Sequence, residues 1–295
     1  MHKIAKLYSL ALLAFVPGAL GSCEGSQNDL PNAPENIQVV RLTKSNTKID
    51  CDGGYFRGIS TPLELQVFGA VSNVQISNCK LNGSFRTVGM ARTGEGEELR
   101  KSSRSPGHVD RARAAAPTRI TLDNVEIHSK GVTPVYLGPG TTHFTLSNST
   151  LKGSSRISAI YLDAESAYNS VLNNHVNVKT PREQLAIDAS SFNRVYKNTF
   201  IQPTHGGIFL YRNCGEGGTI RWSTPSNNTI TFNGFNSRRA LNWLIRENSR
   251  GGNRDYCGDD AGWPWGSSAD NNDNGKNNTI RANTTGPIEK VSQAR

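Results

Sequence analysis

Four copies of one short pattern, Asn-x-[Val/Ile]-x-x-Asn, occupy the second half of the chain: Asn169 to Asn174 around Val171, Asn193 to Asn198 around Val195, Asn228 to Asn233 around Ile230, and Asn278 to Asn283 around Ile280. Upstream the same apolar frame returns without the flanking asparagines in Ile76–Leu81, Leu122–Ile127 and Leu146–Leu151. Between first apolar positions, Leu122 to Leu146 is 24 residues, Leu146 to Val171 is 25, and Val171 to Val195 is 24. A period in the twenties marks a solenoid, in which each repeat buries its apolar face against its neighbours.

What fills the period decides which solenoid forms. Ile120–Leu122 and Phe144–Leu146 are short runs that alternate with period two, as strands do. A second such run precedes each frame: Val135–Leu137, Ile160–Leu162, Leu185–Ile187 and Ile208–Leu210. There is no leucine-dense consensus with a helix per repeat. Two or three strands per coil, separated by Gly, Asn and Ser turns, predict an all-β chain: a single-stranded parallel β-helix with coils of about 24 residues. Asn174, Asn198, Asn233 and Asn283 then fall in one column, where side-chain amides bond to the turn backbone and to each other. That ladder is structural.

The remaining spacings locate irregular insertions. Val195 to Ile230 is 35 residues and Ile230 to Ile280 is 50, and the excess lies in 213–226 and 249–275. Ile76 to Leu122 is 46 residues, and an arginine-rich stretch between Arg86 and Arg119 has no strand pattern, giving an insertion at 85–118. Within it Glu95–Arg104 and Ser105–Ala116 are expected to form a helical turn or two each, the second with Ser105 as N-cap and Pro106 at the first helical position. Binding surfaces are expected on such loops, because coil residues are committed to stacking.

No linker divides the repeat, so one β-helix domain is expected over 37–285, with a tail at 286–295. The N-terminus reads as an export signal. Met1–Lys6 is basic, Leu7–Leu20 is apolar, and Leu20-Gly-Ser-Cys23 resembles a bacterial lipobox. This predicts a lipoprotein-type signal peptide over 1–22, lipidation of Cys23, and a Ser/Asn/Pro/Gly-rich tether over 23–36. A plain signal peptide with a coincidental cysteine is the alternative. The apolar run is too short for a comfortable membrane span. A lipid anchor is then the only membrane contact, and the protein is expected in the periplasm or on the outer membrane, otherwise secreted.

Assigning Cys23 to lipid leaves four of five cysteines. Cys51–Cys79 and Cys214–Cys257 is the pairing favoured by adjacency along a solenoid in an oxidising compartment, with buried free thiols as the alternative. The chain carries a net charge of +9, and losing Lys3 and Lys6 with the leader leaves +7, which favours anionic partners. Nucleic acid is set aside, since there is no zinc spacing, basic helix or aromatic RNA-binding motif. An acidic polysaccharide fits better, and a monomer is expected.

Chemistry is sought on the outward positions of the strand before the asparagine frame. If Leu137, Leu162, Ile187 and Leu210 point inward, one outward column reads Tyr136, Tyr161, Ala186, Phe209. The other reads Gly138, Asp163, Asp188, Tyr211, with Arg246 next if Ile245 continues the inward row. Coils stack about 4.8 Å apart, so Asp163 and Asp188 are near neighbours. One must then take up a proton, or a cation must lie between them.

Three roles compete for this pair. As acid and base they would serve a glycoside hydrolase. In a uronate lyase or epimerase they would hold a cation or arginine that neutralises the sugar carboxylate, with Tyr211 or His205 as base and Arg212 or Arg246 as neutraliser. In a structural role they would cap turns or pair with Arg194 and Arg212. Tyr161, Glu165, Arg246, Arg111 and His108 are the candidate substrate-binding residues, the last two on the basic insertion, which would form an anion-binding wall if it folds over the coils.

No cofactor is expected. Asp270-Asn-Asn-Asp-Asn-Gly275 opens like an EF-hand loop, but Arg281 stands at the twelfth position, so that site is rejected. A looser calcium site from Asp259, Asp260, Asp270 or Asp273 stays open. Trp222, Trp243, Trp263 and Trp265 all lie in the last third and suit a cap on the solenoid end, with a sugar platform as alternative.

The asparagine coils, Ile160-Tyr-Leu-Asp-Ala-Glu165, Ile208-Phe-Leu-Tyr-Arg-Asn213 and Tyr256-Cys-Gly-Asp-Asp260 resemble exported bacterial right-handed parallel β-helix proteins of the pectate-lyase-like superfamily, over about residues 37–285. That superfamily includes polysaccharide lyases, epimerases, hydrolases and sugar-binding helpers. The resemblance implies a carbohydrate-related role; with the basic charge the expected target is an anionic, uronate-type glycan, with lyase or epimerase chemistry first, hydrolysis second, and a non-catalytic glycan-binding or structural solenoid as the third possibility. The chain has neither a polygalacturonase-like Asn-x-Asp followed by Asp-Asp on the next coil nor a pectate-lyase-like run of calcium-binding aspartates with Arg-Pro, so no subfamily is matched.

Overall fold

The computed structural model describes residues 37–253, 257 and 265–287. The predicted leader, Cys23, the tether, Asp259, Asp260, Trp263 and most of the tail lie outside them. The rest winds as a parallel β-helix with three sheets. Sheet A stacks Gln38–Leu42, Leu63–Phe68, Gly83–Val88, Val135–Leu137, Ile160–Leu162, Leu185–Asp188, Ile208–Tyr211 and Ile245–Arg246 in that order. Sheet B runs from Thr47–Asp50 to Thr279–Arg281, and sheet C from Lys80–Leu81 to Thr284–Gly286. Every pairing is parallel, as in Leu137↔Leu162↔Ile187↔Leu210 and Leu122↔Leu146↔Val171↔Val195↔Ile230↔Ile280.

These rows are the core. Leu137, Leu162, Ile187, Leu210, Val171, Val195 and Ile230 are fully buried, each contributing about 1.5–3 kcal/mol by leaving water. Phe200 stacks on Phe235 at 5.1 Å in a row of sheet C, and Phe85 of sheet A stacks on Phe144 at 5.7 Å inside the coil.

The asparagines form two ladders. In one, Asn174 Nδ2 donates to Asn198 Oδ1 at 2.9 Å, Asn198 to Asn233 at 3.0 Å, and Asn233 to Asn283 at 3.0 Å. In the other, Asn193 donates to Asn228 and Asn228 to Asn278. Each Oδ1 also accepts the backbone N–H of the coil below, as Asn198 does from Asn174. The polar corners thus satisfy the backbone groups that the turns expose.

Beside the ladders run two columns in the left-handed region, one residue per coil. The turn into sheet B holds Asn73, Arg119, His143, Tyr168, Phe192, Asn227 and Asn277; the turn out of it holds Asn78, Asn124, Asn148, Asn173, Lys197, Phe232 and Ala282. Asn tolerates this backbone, while a bulky side chain there costs about 1–2 kcal/mol.

The insertions differ in detail from expectation. Gly83–Val88 is a strand of sheet A and Thr118–Asp123 a strand of sheet B, so Arg86 and Arg119 belong to coils and the first excursion occupies 89–117. It carries two helices, α1 (Glu97–Ser103) and α2 (His108–Ala115). Gly107, not Ser105, is the N-cap of α2, and Pro106 precedes the helix. At Gly140 (φ +81°) a Cβ would lie 2.4 Å from the carbonyl oxygen of Ala112, so only glycine lets α2 rest on the coil turn.

Candidate functional site

Asp163 and Asp188 lie one coil apart at the ends of their sheet A strands, and neither touches solvent. The cation required between them is Arg221, from the 213–226 insertion: its Nη1 is 3.0 Å from Asp163 Oδ1 and 3.2 Å from Asp188 Oδ2. Tyr136 Oη donates to Asp163 Oδ2 at 2.5 Å and Tyr161 Oη to Asp188 Oδ2 at 2.6 Å. The backbone N–H groups of Ala164 and Asn213 donate to Asp163 Oδ1 and Asp188 Oδ1 at 2.8 Å each. A buried carboxylate is tolerable only with such partners.

Around this core the face is rich in rings and charge. Tyr136 and Tyr161 stack at 5.0 Å, and the Arg86 guanidinium sits 4.0 Å from the Tyr136 ring. Tyr211 Oη donates to Glu183 at 2.7 Å. Burial, with nearby carboxylates and other tyrosines adding to it, pushes the Tyr161 hydroxyl well above its ordinary range. For Tyr211, burial and then Glu183 do the same. Glu165 is buried under the insertion, accepting Trp222 N–H at 2.7 Å and Ser223 N–H at 3.1 Å. Burial raises its pKa despite these bonds.

Two insertions build the cover over this face. Ser103 at the end of α1 accepts Ile220 N–H at its hydroxyl and Trp222 Nε1–H at its carbonyl, and Arg113 of α2 donates to the Glu165 carbonyl. A small cavity lies between Leu99, His108, Glu165 and Ile220 beneath the cover.

The structure brings Asp163, Asp188, Tyr161, Glu165 and Tyr211 together and sets the other sequence candidates apart. Arg212 is fully buried but turned to the last insertion, donating to Asp270 Oδ1 at 2.5 Å. Arg246 requires a correction: Ile245 pairs with Ile208, not Leu210, so Arg246 stands in the Phe209 column, 5.3 Å from that ring, instead of following Tyr211. The short helix Leu241–Leu244 delivers the strand two residues earlier than the alternation assumed. His205 lies on the turn entering sheet A, opposite the Asp163/Asp188 end, and bonds to the Thr180 carbonyl at 3.0 Å. His108 is buried on α2 against Ser102, and Arg111 directs its guanidinium to Ser102 near the end of α1 and to Ser105 and Pro106 in the loop between the helices. Arg194 was an expected partner of the aspartates; it instead lies on sheet B over Tyr196.

Arg221 itself was missed. It sits in a segment without periodicity, and only the cation demanded by two adjacent carboxylates pointed to it. Of the calcium candidates, Asp270 engages Arg212 and Asp273 is buried; among the described residues no group of three or more His, Cys, Asp or Glu converges on a point. Trp222 belongs to the cover, while Trp243 packs against the core beside the last coils.

Residues 66–284 match the family model described as the right handed beta helix region. The chain belongs to that family. No curated protein and no solved structure is a match. In this right-handed β-helix protein, Cys51–Cys79 and Cys214–Cys257 are disulfides, as adjacency along the solenoid predicts. They suit an oxidising environment outside the cytoplasm. No helix among the described residues is long and apolar enough to cross a membrane.

Proposed function

We propose that this β-helix protein acts outside the cytoplasm by holding an anionic polysaccharide, not by cleaving it. One observation carries this choice: Asp163 and Asp188, the pair from which catalysis would be built, are both buried and both engaged by the same nitrogen of Arg221. Ion-paired to one guanidinium and shut off from solvent, neither carboxylate is placed to activate a water or hand a proton to a glycosidic oxygen. The Tyr161 and Tyr211 hydroxyls are shifted upward, away from the range of a proton-abstracting base. The net charge of +9 favours polyanions, and a carbohydrate role accords with the resemblance to polysaccharide-active β-helices.

A catalytic reading, lyase or epimerase before hydrolase, is supported by the gathering of Tyr161, Tyr211 and Glu165, whose pKa values burial raises, on one face, since perturbed groups cluster at functional sites. It requires the Arg221 segment to swing away, freeing Asp163 and Asp188 for acid–base work or for holding a cation.

One experiment separates these. Mature protein is incubated with a panel of uronate and neutral polysaccharides, with and without calcium and with and without reductant. Bound polymer, unsaturated-product absorbance, reducing ends and C5 configuration by NMR are followed together. Binding without product supports the holding role. Any product, particularly one that appears on reduction of Cys214–Cys257, overturns it in favour of catalysis.

A further inference from the structure

The covered face of sheet A leaves open where a glycan would lie, and sheet B offers an uncovered alternative. In its entry column, coils at Asn73, Asn227 and Asn277 carry the residue that left-handed backbone accepts, whereas three consecutive coils carry rings: His143, Tyr168 and Phe192. The rings stack, His143 on Tyr168 at 5.2 Å and Tyr168 on Phe192 at 4.9 Å. Tyr168 and Phe192 are 45% and 46% exposed. Large side chains on strained backbone that are left in water serve neither the core nor solubility, and such outliers gather where ligands bind.

The exit column makes the same change. After Asn148 and Asn173 it presents Lys197 and then Phe232, the latter 53% exposed. Between the columns, the Arg194 guanidinium lies 4.5 Å and Lys197 Nζ 5.3 Å from the Tyr196 ring, with Phe232 edge-on to it at 5.6 Å. The strands Ser170–Leu172, Arg194–Tyr196, Thr229–Thr231 and Thr279–Arg281 contribute two arginines and no acidic residue. The floor is partly exposed at Thr145 and Ser170.

We infer that the outer face of sheet B, between the His143–Tyr168–Phe192 rail and the Arg194–Tyr196–Lys197–Phe232 cluster, binds an anionic polysaccharide lying along the solenoid axis. This rests on the glycan-holding role proposed above. The outward edges of the stacked rings form an apolar rail against which pyranose C–H groups pack, the sugar carboxylates are met by Arg194 and Lys197, and the hydroxyls by the short polar floor. The rings recur at the spacing of the coils, about 4.8 Å, so an extended glycan meets an equivalent contact at each step. The charge pattern favours a polyanion over a second copy of this basic chain.

The test uses the residue that the same column carries elsewhere. Tyr168→Asn/Phe192→Asn removes both rings while supplying side chains suited to the backbone, so the melting temperature should hold. Arg194→Ser/Lys197→Asn removes the cations. Lys179→Ser with Lys130→Ser, both exposed on sheet C, removes the same two charges and controls for net charge. Binding to polygalacturonate and alginate is measured by calorimetry at two salt concentrations, with molecular mass followed in parallel. Wild type and the Lys179/Lys130 variant should bind alike, and the ring variant about tenfold more weakly. The cation variant should also bind more weakly and lose much of the salt dependence. Wild-type binding retained undiminished in both sheet B variants would overturn this site while leaving the glycan-holding role standing. No wild-type binding to either polyuronate would overturn both. A wild-type dimer that the ring variant dissolves, with glycan affinity unchanged, would reassign the face to self-association.

Discussion

Arg221 Nη1 stands 3.0 Å from Asp163 Oδ1, although 58 residues separate the two in sequence and both are buried. An insertion loop thus completes the electrostatics of a coil face that would otherwise hold two adjacent carboxylates. Arg221→Met should therefore destabilise the fold by about 3–5 kcal/mol, read as a lower urea midpoint. Adding Asp163→Asn and Asp188→Asn should recover most of that loss. A triple variant no more stable than Arg221→Met would mean that Arg221 serves something other than the pair.

Stability should decline in acid in two stages. Burial, and after it Arg111, pushes the His108 pKa down from 6.5 to about 4. Between those values the unfolded chain takes up a proton that the folded chain refuses, so stability falls as pH drops from about 6.5 to about 4. Glu64 adds a later stage. Burial raises its pKa, but Arg86, Arg92 and Gln66 outweigh this and hold it below 4.5. Its contribution is present above 4.5 and is lost as pH falls through the folded value. Melting curves across pH 3–8 should show His108→Gln flattening the first stage only; an unchanged profile would count against the buried neutral histidine.

The asparagine ladder should be steeply position-dependent. Asn198 is fully buried, gives Nδ2 to Asn233 and to the Val171 carbonyl, and receives Asn174. Asn198→Ala leaves several of these groups unpaired and should cost on the order of 3 kcal/mol. Asn173, exposed beside it and left-handed, should lose only about 1 kcal/mol as Ala. Equal losses by denaturant unfolding would contradict the ladder's role.

Removing the Cys214–Cys257 bond should loosen the cover before the coils. These cysteines are 43 residues apart and join the second and third insertions. Cys214→Ser/Cys257→Ser should lower stability by about 2–4 kcal/mol, with limited proteolysis cutting first within 213–226. First cuts inside the strands would show that the bond braces the solenoid itself.

Much of this was legible in the residues because a solenoid writes its period into the chain. The coil spacing, the inward Leu137–Leu162–Ile187–Leu210 row, the stacked asparagines and both disulfides follow from repetition. The family match confirms the right-handed fold that the resemblance implied. The insertions lack that repetition, so their contacts were out of reach: Arg221 gave no signal of its own, and Arg212 faces Asp270. Arg246 was misplaced for a related reason, since the Leu241–Leu244 helix changes where the strand enters while the apolar pattern reads the same. The His143–Tyr168–Phe192 column was hidden differently. Its rings recur at coil spacing, but their unusual backbone is visible only against Asn73, Asn227 and Asn277 at the same position of other coils.

A stack in which each coil meets only its neighbours should come apart from its ends, one turn at a time. Here α1 is joined to 217–222 by Arg100, Ser103 and Arg104 across the three strands of sheet A that lie between their coils. Glu165 is tied to Trp222 and Ser223 in the same way. The cover works like a strap over a pile of rings: pulled from either terminus, the outer turns should peel away smoothly and the strapped turns should then resist and release together.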